Sequence, residues 1–185
     1  MALMGLCGGL LHVLNHGICK TLLFMGAGSV LHATGSRQID QMGGLMKRMP
    51  VTGAAFLIGS AAISGLPPLN GFISEFLIYI AAFSGVSEGS GVWGGLIVAA
   101  SLALIGGLAA ACFTKAFGVV FLGEPRAKAS AEAHEALPVM LLPMAVLSFF
   151  CLAIGLAAPV MIRLIFPVAI QIAPNEINSA VLETV

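Results

Sequence analysis

The sequence predicts an all-α protein, a polytopic transmembrane helix bundle of about four spans. Of its 185 residues, 59% are hydrophobic and only 9% charged. Soluble domains average about 25% charged residues, so this chain cannot cover its surface with solvated groups. Mean hydropathy is +1.06. Apolar runs at 2–32, 51–84, 92–122 and 137–166 are each long enough to cross a hydrocarbon core of about 30 Å. Short polar connectors separate them, and the whole of 1–185 reads as a single transmembrane domain.

The first span contains LLHVLNHGICK, where His12, His16 and Lys20 recur at a spacing of four. That spacing places them on one helix face over about 12 Å of rise. A lysine near the bilayer centre costs about 2.5–3.5 kcal/mol on insertion scales, so a sequence rarely keeps one without a use. Lys20 lies too deep for comfortable snorkelling. A titratable ladder in lipid fits a proton path, while each histidine taken singly also fits an interhelical hydrogen bonder.

The second span breaks. VTGAAFLIGSAAIS is helical in character, GLPPLNG interrupts it, and FISEFLIYIAAF resumes. Pro67 and Pro68 remove two donors and clash with the preceding turn, so the helix ends between Gly65 and Gly71. Unwound backbone at membrane depth survives only beside protein or a water-filled cavity, and discontinuous helices commonly build ion sites there. Glu75 follows the break by about one turn, where the helix dipole favours an anion. It reads either as a functional carboxylate or as a cap on the second half-helix.

The third span carries Lys115, seven residues from the end of the run at 122, where both a functional and a snorkelling reading stand. Gly94, Gly95, Gly106 and Gly107 predict close helix packing. The last span holds Arg163 near its end. Connectors 33–50 and 123–136 carry Arg37, Lys47, Arg48, Arg126 and Lys128, whereas the middle connector has no basic residue. The positive-inside rule therefore puts the two basic connectors in the cytoplasm, mildly opposed by Arg163.

Net charge is zero, which gives no footing for nucleic acid. Cys7, Cys19, Cys112 and Cys151 lack paired spacing and read as small buried hydrophobes. No iron–sulfur cluster motif, haem motif or nucleotide fingerprint occurs, so no cofactor or metal is expected in this chain and it is not catalytic by itself. No cleavable signal peptide is expected.

LLHVLNHGICKTLLFMGAGSVLHATGSRQIDQMGGL followed by ISGLPPLNGFISEFLIY resembles the proton-translocating, antiporter-like membrane subunits. These are shared by NADH:quinone oxidoreductase (complex I), Mrp-type sodium/proton antiporters and group 4 hydrogenases. CFTKAFGVVFLGEPRAKA looks like the hydrogenase branch, the large subunit of formate hydrogenlyase and hydrogenase-4. The resemblance implies that Lys20 is the central proton-holding lysine, His12 and His16 its relay, and Glu75 the exit-side group; Lys115, outside the matched motif, is read from its place in the third span as a further group of the relay, coupled to Lys20 by its charge. It implies a buried Lys/His/Glu line and a partial antiporter-like fold, since full-length members have about fourteen helices with inverted repeats. A fragment of a longer subunit is expected, unable to form a complete path alone.

The implied partners are other membrane subunits, hydrophilic redox subunits (a nickel-iron hydrogenase or quinone-reducing arm with iron–sulfur proteins) and the lipid bilayer. The implied location is a bacterial or archaeal plasma membrane. The alternatives are a subunit of an Mrp-type sodium/proton antiporter and a non-conducting structural fragment.

Overall fold

The computed structural model describes residues 2–87 and 92–173. The rest of the middle connector and the C-terminal tail from 174 lie outside the described residues. The elements in chain order are α1 (Ala2–Thr34), α2 (Pro50–Ile63), α3 (Asn70–Ser87), α4 (Val92–Phe121), the short α5 (Lys128–Ala131), α6 (Pro138–Leu156) and α7 (Ala158–Ile172). Asn70–Ser87, Val92–Phe121 and Pro138–Leu156 are each long and apolar enough to cross a membrane.

Helix α1, 33 residues long and so about 50 Å from end to end, is the axis of the bundle. It packs against α2, α3, α6 and α7. Leu11, Asn15, Cys19, Leu22 and Val30 are buried along one side, at the three-to-four spacing of a helical stripe. Cys19 and Leu22 form an apolar core with Ala55, Ala62, Leu69, Met144 and Cys151. Leu11 packs with Leu77 and Ile154 nearer the other end.

The expected break is present, between α2 and α3. Helix α2 ends in a Schellman arrangement: Gly65 N–H donates to Ala62 O at 3.2 Å and Leu66 N–H to Ala61 O at 3.1 Å, satisfying carbonyls the helix end leaves free. Gly65 sits at φ +67°, a left-handed conformation glycine adopts without steric cost. Pro67 and Pro68, joined by a cis peptide bond, then prevent the helix from continuing.

The final apolar run departs from the single span expected over 137–166. It is two helices that part at Ala157 (φ −94°, ψ 28°). Pro159, second residue of α7, lacks the N–H that would continue the ladder and clashes with the carbonyl four residues back. Arg163 is exposed on α7.

The glycines on α4 also depart from expectation. A Cβ at Gly94, Gly106 or Gly107 meets nothing within 4 Å, and only Gly95 makes a close approach, to the Ala82 carbonyl. The reason is position: along α4 only Phe121 is buried, so most of its glycines have no backbone beside them. Two of the closest approaches to backbone lie at the break. A Cβ on Gly71 would strike the Ala62 carbonyl oxygen, and one on Gly155 of α6 the Pro68 carbonyl oxygen.

The two basic connectors meet at one end of the bundle. Gly44 N–H donates to Leu122 O at 2.9 Å, Arg126 Nη1 to Met42 O at 3.0 Å, and Ser130 Oγ to Gln41 O at 3.0 Å. Lys47 Nζ lies 2.7 Å from Glu124 Oε1. That hydrogen bond and the accompanying charge attraction hold the exposed Glu124 carboxyl below the usual carboxylate range. Glu135, whose role the sequence does not disclose, accepts from Val51 N–H at 2.8 Å and Thr52 Oγ1 at 2.6 Å. It thus serves the first-turn donors that Met49, the local cap position of α2, leaves free.

Candidate functional site

A cavity of about 280 Å³ opens between α1, α3 and α4. His12, His16 and Lys20 line it from α1, and Glu75 lines it from α3. Four of the five ionisable residues singled out in the sequence therefore share one space. Lys115 does not. The α4 residues on the cavity are Leu102, Ile105, Gly106, Ala109 and Phe113, and Lys115 lies two positions past Phe113, about 200° further round the helix. It is exposed.

The ladder is not uniformly buried. His12 is half-buried, whereas His16 and Lys20 are exposed. A step of four residues turns about 400°, so each member advances about 40° round α1. The row consequently drifts from the flank of the packed stripe toward the open side, and the expected burial of Lys20 does not occur. The His12 and His16 rings stack with centroids 6.0 Å apart and planes 6° from parallel. Lys20 also borders a second cavity of about 190 Å³, beside Phe24, Phe56 and Phe113.

His12 is tied to the helix after the break. Its Nδ1 lies 3.1 Å from Ser74 Oγ, and Ser74 Oγ donates to Gly71 O at 2.9 Å. With the hydroxyl proton so directed, His12 donates from Nδ1 and its neutral ring keeps Nε2 as an acceptor. Glu75 does not cap α3: the Gly71 N–H is taken by the Asn70 side-chain oxygen at 3.0 Å. The carboxylate instead lies over Gly65, where a Cβ would collide with it. Of the four break residues, Gly71 lines the cavity with Glu75 and Gly65 leaves room for its carboxylate, whereas Pro67 and Pro68 do not line it.

Sequence reasoning missed two residues here. Asn15, at 1% exposure, and Asn70, at 0%, bond across the helices: Asn15 Nδ2 donates to Asn70 O at 2.7 Å and Asn70 Nδ2 to Asn15 Oδ1 at 3.3 Å. A polar amide in an apolar helix must find a partner. That signal was available beside His16 and two residues after Pro68.

Apolar spans around a central helix, with ionisable groups gathered at a broken one, define a multi-pass helical membrane protein. Residues 1–106 match the model of the family described as "NADH:quinone oxidoreductase/Mrp antiporter, TM". The chain belongs to that family. It is 44% identical over 158 residues to formate hydrogenlyase subunit 3 of Escherichia coli (strain K12), covering 84% of this chain and 26% of that protein. It is 44% identical over 161 residues to hydrogenase-4 component B of the same organism, covering 85% and 24%. The chain thus spans about a quarter of the length of these curated relatives. Its fold matches a chain of the Mrp complex from Dietzia sp. DQ12-45-1b with a TM-score of 0.80, at 22% identity, over 91% of this chain and 38% of that one.

Proposed function

We propose that this chain is part of a proton-translocating membrane subunit in a redox-driven complex of the hydrogenase and formate hydrogenlyase type. The observation that carries the reading is the shared cavity. It brings His12, His16 and Lys20 together with Glu75, a residue more than fifty positions away in sequence and on another helix. Lysine stores a proton as an ammonium, and the histidines suit short transfer steps near neutral pH. Glu75 offers an anionic alternative position whose charge biases Lys20 by Coulombic attraction. The cavity volume of about 280 Å³ has room for several waters, each needing about 30 Å³, to bridge the steps.

The redox driving force comes from partner subunits, membrane-embedded and hydrophilic, in the plasma membrane of a bacterium or archaeon. The names of the two relatives, a subunit and a component, support membership of a larger assembly. Purification from the native membrane in mild detergent, with mass spectrometry of the retained proteins, tests this. Nickel-iron hydrogenase and iron–sulfur subunits are the expected companions. NADH-oxidising subunits, or only antiporter subunits, would move the chain to another branch of the family. Glu75→Gln tests the relay itself: coupled turnover in the assembled complex falls strongly, and near-normal rates would reduce Glu75 to a packing residue.

A further inference from the structure

We propose that Asn15 and Asn70 are positioning residues, a clamp that holds the junction after the helix break against the middle of α1 so that Glu75 shares a cavity with His12, His16 and Lys20. The clamp rests on the geometry, and only its consequence for transport rests on the relay reading. Every side-chain hydrogen-bonding group of Asn70 is engaged. Its Nδ2 bonds Asn15, and its Oδ1 accepts from Gly71 N–H at 3.0 Å and from Cys19 Sγ at 3.5 Å. Its main-chain oxygen takes the shortest contact of the set, from Asn15 Nδ2. Buried amides are costly unless bonded, and each of these two satisfies the other.

Position gives the pair its leverage. Asn15 lies between His12 and His16 on α1, and Asn70 opens α3 five residues before Glu75. The bonds therefore join the ladder to the segment that carries the carboxylate. A second link, from His12 Nδ1 to Ser74 Oγ, runs alongside but leaves the junction's first residue unheld. The break needs such an anchor because its own backbone bonds are local, such as Leu69 N–H to Leu66 O. Nothing in those bonds fixes the junction to α1.

The test reads local opening in the full assembly, in native membranes, with N-ethylmaleimide and mass spectrometry of the labelled peptides. Cys19, 1% exposed, touches Asn70. Cys7, 2% exposed, lies about 18 Å away along α1 and reports global loosening. Asn15→Leu leaves the buried Asn70 Nδ2 without a partner and removes the cross-helix donor from the Asn70 carbonyl, so Cys19 labelling accelerates roughly ten- to a hundredfold while Cys7 stays unchanged. The smaller Asn15→Ala, which has no hydrogen-bonding side chain, removes the same partner and gives the same pattern. Unchanged Cys19 labelling, or Cys7 rising in step with it, overturns the clamp.

Ion flux in the same membranes separates the two ideas. If the clamp acts through Glu75, Asn15→Leu lowers flux in the unaltered background and adds less than about twofold in Glu75→Gln, the non-additivity of coupled residues. Full additivity overturns the positioning role. Selective Cys19 exposure with flux insensitive to Glu75→Gln would sink the relay reading and leave the clamp standing.

Discussion

Replacing Gly155 with alanine forces a methyl group into the backbone of the helix break. The added Cβ would lie 2.7 Å from the Leu69 carbonyl carbon and 2.9 Å from that of Pro68, closer still to the Pro68 carbonyl oxygen. Carbon atoms reach optimal contact at about 3.5–4.0 Å, so α6 and the break must part by about 1 Å. Backbone cannot rotate away as a side chain can. Overpacking of this kind costs about 1–3 kcal/mol, while glycine to alanine inside a helix returns up to about 1 kcal/mol. The overlap is with rigid backbone on both sides, which puts the cost at the upper end, about 2–3 kcal/mol, so the clash wins and net destabilisation is about 1–2 kcal/mol. For a chain of this size that lowers the thermal midpoint by about 2–8 °C. Thermal denaturation in detergent, followed with a thiol-reactive dye that reports the buried Cys19 and Cys151, measures it. Gly106→Ala is the control: a Cβ there meets nothing within 4 Å, so its midpoint holds or rises. A Gly155→Ala midpoint at or above that of the unaltered protein would refute the close approach.

Glu135→Ala removes the carboxylate that caps α2 and costs about 0.5–2 kcal/mol in the same assay, with Glu135→Gln intermediate because one acceptor oxygen remains; no change in either variant would show the cap to be idle. Glu124 carries a depressed carboxyl pKa because of Lys47, so its contribution to stability is present above the ordinary carboxylate range and is lost as pH falls through the depressed value. A site-specific NMR titration should find Glu124 below the usual range and Lys47→Met should return it to that range, whereas an ordinary value in the unaltered protein would contradict the pairing.

Much of the frame was legible in the sequence because membrane physics leaves few options. Apolar runs must be helices in lipid, and Pro67-Pro68 must end one. The ladder stood out because charge in a span is rare. What stayed hidden has physical causes too. Asn15 and Asn70 carry no charge and find each other across 55 residues, a pairing that hydropathy does not register. Pro159 splits the last run without lowering its hydropathy, so 137–166 read as one span. The exposure of Lys20 follows from a 40° drift per ladder step, small over one turn and decisive over two. Glu135 looked like one more connector charge until the start of α2 was placed beside it.

The central claim is that Lys20 holds the moving proton, and Lys20→Ala in the complex that contains this chain tests it most directly. Lys20 is exposed in this chain, so its truncation breaks no packing within the described residues, and the amount of assembled complex is measured alongside. Proton uptake into inverted membrane vesicles, measured per electron transferred by the partner subunits, is predicted to vanish. An unchanged ratio in a fully assembled complex would contradict the account.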